Sequence, residues 1–241
     1  MGEIASTKTT SAHDLAKANS HKITIPIPNE RNALSISTLR KGTVLHRVHL
    51  SKYAATTLNP GAIGNARFSP IQDGHGIPIP TLYAGSSMDC ALMETVFHDV
   101  PHKSGFNTFD KQKLVNHVHS KIRLKHPLNL IDLGSVALRR LGLKRNQLID
   151  TEKDLYPATR TWAGAAHRIC EHAQGLFWVS RQDDSARAVM FFGDRLPAHT
   201  LEQLGTSFSL LSDCSTYEKV FNLAQRLGLT LTTGVTSSIA D

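Results

Sequence analysis

Residues 81–99, TLYAGSSMDCALMETVFHD, decide how this chain is read. TLYAG is a short apolar run closed by glycine and followed by two serines, the pattern of a strand that turns straight into a helix. Ser86 and Ser87 are both good N-caps, because a serine hydroxyl accepts from a backbone N–H left free in the first helical turn. Met88, Cys90, Ala91, Leu92, Met93, Val96 and Phe97 then place apolar groups on nearly every side of a 3.6-residue wheel, so the helix through Asp99 is predicted to be largely buried. Glu94 breaks that pattern. It lies either on one exposed stripe or against Cys90, Ala91 and Phe97 in low dielectric, where a carboxylate needs a partner or takes up a proton.

Upstream, TVLHRVH (43–49) alternates as a strand does, with Arg47 at its centre beside Leu45 and the Val44/Val48 pair. A guanidinium fits poorly there unless it meets an anion. NPGAIGNARFSP (59–70) is loop-like; Gly61 and Gly64 let the backbone approach a ligand, and Arg67 offers a planar fork to phosphate. The spacing matches neither the dinucleotide fingerprint nor the P-loop, and either arginine alone also fits a surface salt bridge.

Downstream, strands are predicted in VNHVHSKIRL (115–124) and LNLIDLG (128–134), and helices in SVALRRLGL (135–143) and from Tyr156 to His172. GLFWVSR (175–181) and AVMFFGDR (188–195) read as a hairpin across polar QDDSA. Ser215 with Glu218 matches a capping box for a last helix that ends at Gly228. Strands and helices mix without regular βαβ alternation, which predicts an α+β fold. Ser/Thr-rich residues 1–22 and the proline-bearing ITIPIPNE predict a loosely ordered arm over 1–40, ahead of one domain over 41–241.

Hydrophobic residues make up 40% of the 241 and charged residues 20%, a balance that supports a sizeable core without disulfides or metals. Lys and Arg exceed Asp and Glu by 27 to 20, a net +7 that favours anionic partners without choosing among nucleic acid, nucleotide, acidic protein or anionic membrane surface. Cys90, Cys170 and Cys214 are odd in number and lack Cys-x-x-Cys spacing, which argues for a reducing compartment and against a structural zinc site. No apolar run approaches the ~20 residues of a membrane span, and MGEIASTKTTSAHD lacks the apolar core of a signal peptide, so a cytoplasmic location is expected. His117 and His119 alternate along a strand with no third ligand in view, and read as surface rather than metal ligands. Trp162 and Trp178 read as core, and His98 as marking a helix end.

An arginine inside a strand, Gly-x-x-Gly-x-x-Arg-Phe-Ser-Pro at 61–70, Leu-Tyr-Ala at 82–84 and Ala-Leu-x-Glu-Thr at 91–95 together resemble the RES-domain family, named for Arg, Glu and Ser. The resemblance continues through LIDL (130–133), RTWA (160–163) and GLFWVSR (175–181), covering roughly residues 41–195. It implies an ADP-ribosyltransferase-like fold and a toxin that destroys NAD+, partnered by a helix-turn-helix (Xre-type) antitoxin that blocks the active site. Carried over residue by residue, Arg47, Glu94 and Ser180 are the expected catalytic set, with Ser86 and Ser87 as rival serines; Arg67 and Tyr83 are expected to bind substrate. Tyr53, six residues after Arg47, is a candidate second aromatic wall. No cofactor is implied: NAD+ is the substrate and inorganic phosphate the expected co-substrate, with water as the other acceptor. Two further readings stand beside this one: transfer of ADP-ribose to a protein, and nucleic-acid binding. The second rests on charge alone, against 6% aromatic residues and no recognisable binding motif.

Overall fold

β3 (Thr81–Gly85) lies inside the main sheet, paired antiparallel with β2 (Val44–Leu50) on one side and β8 (Arg187–Phe192) on the other. The computed structural model describes residues 23–61, 63–98, 100, 107–181 and 183–233. Beyond β2 come β5 (His117–Leu124) and β9 (Leu201–Ser209); beyond β8 come β7 (Gly175–Val179), β6 (Leu128–Asp132) and β1 (Ser35–Leu39). The order is β1-β6-β7-β8-β3-β2-β5-β9, and β6–β7 is the parallel pair in an otherwise antiparallel sheet. β4 (Asn107–Asp110) and β10 (Leu229–Thr232) form a separate parallel pair. Helices α1 (Met88–Met93), α2 (Ser135–Arg140), α3 (Arg145–Leu148), α4 (Tyr156–Ile169) and α5 (Cys214–Arg226) complete an α+β fold.

Several boundaries differ from the sequence reading for physical reasons. α1 is shorter than predicted. After Glu94 the N–H groups of Thr95, Val96 and Phe97 all turn back to the Leu92 carbonyl, so the chain curls where an α-helix would continue; the expected end at Asp99 lies outside the described residues. Part of the expected arm belongs to the domain, since Ser35–Leu39 pair with β6 along their length. The proline stretch ahead of it is irregular but anchored, because the Trp162 indole N–H donates to the Pro26 carbonyl (2.6 Å) and the Gln147 amide to the Thr24 carbonyl (2.7 Å). Residues 1–22 lie outside the described residues. α5 is capped by Asp213, whose carboxylate accepts from the Thr216 N–H (2.8 Å), while Ser215 only donates to that carboxylate.

The core gathers in three clusters. One packs α4, through Trp162, Ala163 and Ala166, against Phe68, Leu176 and Trp178. The second joins α1 to α5 and to Phe109, and the third fills the sheet face bearing Leu45, Leu82 and Phe191. Gly164, inside α4, costs about 1 kcal/mol relative to alanine. Packing does not require it, since an added Cβ would meet nothing closer than the Arg168 guanidinium at 3.7 Å.

The sheet also buries His119, which the sequence reading placed at the surface together with His117. His46 on β2 and His119 on β5 stack with ring centroids 5.0 Å apart, and their ring nitrogens approach to 2.8 Å. Desolvation lowers both pKa values, His119 to about 4, and the nearby Lys121 and Lys219 oppose protonation further while Asp89 favours it at His46. The unfolded chain therefore takes up protons first as pH falls: the stabilisation is complete above the ordinary histidine value of 6.5 and is lost toward 4. Urea denaturation should show a loss of about 2 kcal/mol from His119 between about pH 7.5 and about pH 5. His119→Gln keeps a polar partner for His46 without titrating, and should flatten that dependence. An unchanged slope in the variant would assign the acid sensitivity to other groups.

Candidate active site

The turn from β3 into α1 is built as the two serines suggest. Ser87 is the N-cap, its hydroxyl accepting from the Cys90 N–H at 3.0 Å, and five of the six residues that follow are buried or half-buried apolar groups. Glu94 stands at the C-terminal end of α1, its N–H donating to the Cys90 carbonyl (2.9 Å). Its carboxylate turns toward the end of β7: Oε1 accepts from the Ser180 hydroxyl at 2.9 Å, and Oε2 lies 3.9 Å from Arg67 Nη1. The side chains of Arg67 and Glu94 are 3% and 13% exposed, and Ser180 is fully buried, so this charge pair sits largely out of water.

Arg67 is held from three directions. The Thr159 hydroxyl on α4 bonds to its carbonyl, its guanidinium lies 5.9 Å from the centre of the Tyr156 ring, and Glu94 faces Nη1. Its Nε and Nη2 are buried without a hydrogen-bond partner among the described residues. Two donors of a buried cation left unpaired carry a large desolvation cost, and an anionic ligand is what would offset it. Arg47 donates through Nη1 to the Ala55 carbonyl (2.6 Å), and burial lowers its pKa to about 10, leaving it a cation at neutral pH.

These groups line one cavity of about 410 Å³, which contains Arg47, Arg67, Tyr83 and Glu94 together with His98 and Lys153. Tyr83 accepts from the Phe68 N–H (3.2 Å) and meets Trp178 edge-on at 6.2 Å; burial raises its pKa, so its phenol stays protonated. Trp178 is a core residue, 1% exposed, whose surface also reaches the cavity wall. Ser180 touches the cavity through Glu94. Ser86 bonds instead to the Arg187 N–H and Ser87 caps α1, so of the three rival serines Ser180 is the one joined to the glutamate. Tyr53 is not brought in: it is 49% exposed, with Lys52 Nζ 5.0 Å above its ring. Cys90, behind Glu94, is pushed up to about 12 by burial and then by the Glu94 charge, so it remains a thiol and not a nucleophile.

The sequence reading gave His98 only a helix end and Tyr156 only a helix start, and it passed over Lys153. His98 Nε2 lies 2.7 Å from the Tyr156 hydroxyl, a partner 58 positions away, and the one local signal was its place four residues after Glu94. Among the described residues no three His, Cys, Asp or Glu side chains converge as a metal ion requires, and no helix is long and apolar enough to cross a membrane.

The buried guanidinium gives a direct test. Arg67→Met keeps most of the side-chain volume and removes an incompletely paired buried charge. It also leaves Glu94 without its buried counter-charge, so stability should fall by about 3 kcal/mol while anion binding in the cavity is abolished. Thermal unfolding and phosphate titration monitored together would decide this; a variant that binds phosphate as wild type does would make Arg67 a structural residue.

The fold has known relatives. A family model described as RES domain matches residues 44–211, the span from β2 to just beyond β9. No curated protein sequence matches the chain. Among solved structures, the toxin in the crystal structure of the M. tuberculosis MbcT–MbcA toxin–antitoxin complex aligns with a TM-score of 0.53 at 14% identity, covering 79% of this chain and 91% of that chain. At that identity the likeness is one of fold, and function is argued from the site. With the family match spanning both arginines, Tyr83, Glu94 and Ser180, the chain belongs to the RES-domain family.

Proposed function

We propose that this chain cleaves the bond between nicotinamide and ribose in NAD+, with phosphate as the preferred acceptor, and that it acts as the toxin of a toxin–antitoxin pair. The observation that carries the reading is Glu94, hydrogen-bonded by Ser180 and set beside a buried Arg67 with two unpaired donors. Nicotinamide leaves as a neutral molecule from a cationic ring, taking the C–N bonding pair, so its departure needs no acid. The transition state resembles an oxocarbenium ion, and catalysis reduces to holding the substrate and stabilising positive charge.

Glu94 supplies that charge next to the anomeric carbon, much as a carboxylate does in glycoside cleavage. Ser180, donating to Oε1, fixes its orientation and leaves Oε2 toward the cavity. Arg47 and Arg67 hold the diphosphate or the incoming phosphate, and Tyr83 lies along the ring-binding wall. A phosphate oxygen then attacks the anomeric carbon, giving ADP-ribose 1″-phosphate and nicotinamide; water in its place gives ADP-ribose and a proton. The unpaired Arg67 donors favour the anionic acceptor. Likeness to a toxin solved with its antitoxin supports a partner protein that restrains the activity.

Purified protein incubated with NAD+, with and without phosphate, should release nicotinamide and, when phosphate is present, ADP-ribose 1″-phosphate. Glu94→Gln keeps the shape and removes the charge, and should lower turnover on the order of a hundredfold or more with little change in KM. No loss of NAD+ under either condition would sink this reading, and ADP-ribose appearing on a protein would replace it with a transferase.

A further inference from the structure

A second and larger concavity, of about 740 Å³, adjoins the catalytic one. The 59–72 segment contributes to both, with Asn59 and Gly64–Arg67 on the Glu94 cavity and Gly61, Pro70 and Ile71 on the groove. Arg160 marks the junction: it lines the groove, and its Nη2 donates to Asn65 Oδ1 (3.2 Å), a residue of the catalytic cavity. The two spaces are thus one hydrogen bond apart.

The groove has walls of two kinds. Pro70, Ile71 and Pro78 make one side flat and apolar; α4 makes the other with Arg160, Gly164 and Arg168. Gly164 is the helix-interior glycine that packing does not require; it is buried, and its missing side chain leaves the groove floor to the Arg168 guanidinium, 3.7 Å from where a Cβ would stand. Among the described residues no carboxylate pairs with Arg160 or Arg168. They are eight residues apart on one helix, a rise of about 12 Å, comparable with a nucleotide's reach from phosphate to base.

We propose that this groove is a nucleotide subsite that takes the adenylate half of the substrate. The adenine ring lies between the proline wall and the planar Arg168 guanidinium that covers Gly164 and stacks on aromatic faces, and the adenosine-side phosphate meets Arg160 at the junction. The inference rests on the NAD+ reading above and adds to it: the site distinguishes a dinucleotide from nicotinamide mononucleotide by contacts remote from the bond that breaks. Such contacts are made equally in ground and transition states, so they act on KM and not on kcat.

The test uses 5′-AMP as a binding probe in calorimetry, and NAD+ and nicotinamide mononucleotide as paired substrates. Arg168→Ala removes the stacking guanidinium, and Gly164→Leu fills the floor with a good helix former. Both should weaken AMP binding and raise KM for NAD+ by roughly tenfold, with kcat held within about twofold and KM for the mononucleotide unmoved. AMP that fails to bind wild-type protein, or binds both variants as well as wild type while KM for NAD+ stays put, would overturn the proposal. AMP bound by wild type and lost in the variants, in protein that consumes no NAD+, would keep the nucleotide subsite and overturn the reaction instead.

Discussion

α1 lies so close to the end of β3 that position 85 has no room for a side chain: a Cβ there would fall 2.7 Å from Cys90 Sγ and 3.0 Å from the Ala91 nitrogen. This contact fixes the rest of the site. The helix leaves the strand through the Ser87 cap, Cys90 bonds to the Arg187 carbonyl on β8, and one turn later Glu94 arrives opposite the end of β7. The hairpin of β7 and β8 carries Ser180 to meet it. A six-residue helix would hold no geometry alone; its position comes from the central strands β2, β3 and β8 that it packs on and from the apolar residues it buries against α5.

Around that contact the protein tolerates a poor electrostatic arrangement. Arg67 is buried beside one carboxylate at 3.9 Å and an aromatic ring, with two donors idle among the described residues, and Arg47 is desolvated enough to depress its pKa. The idle donors of a buried guanidinium cost the empty protein their lost hydration. The arrangement is reasonable only if the native state is built for an anion that arrives later, and the backbone around Arg67 is accordingly tied down by Thr159.

The parts legible in the sequence were those with a local cause. β3, the Ser87 cap and the buried face of α1 follow from residues within one turn of each other, and the incongruity of Arg47 in a strand is visible at a glance. What the sequence hid is long-range. β1 follows a proline stretch and owes its existence to β6, some ninety positions away, and β9 is a polar edge strand broken by Gly205 in a left-handed conformation, so it shows no alternation. Ser180 reaches Glu94 across 86 positions and His98 reaches Tyr156 across 58, so neither pairing has a local signature. The family resemblance supplied Ser180, whereas Tyr53, chosen for its nearness to Arg47 in sequence, points away because strand and loop neighbours need not share a face.

The segment before β2 gives the domain a boundary that the family match alone would misplace. That match begins at residue 44, yet β1 covers the outer edge of β6, and the carbonyls of Thr24 and Pro26 satisfy Gln147 and Trp162. A fragment trimmed to the match would leave β6, whose side chains are mostly buried, as a bare apolar edge strand with open backbone donors and acceptors. Such an edge is a template for pairing with another chain, so this short N-terminal strap protects the molecule from self-association as well as completing its sheet.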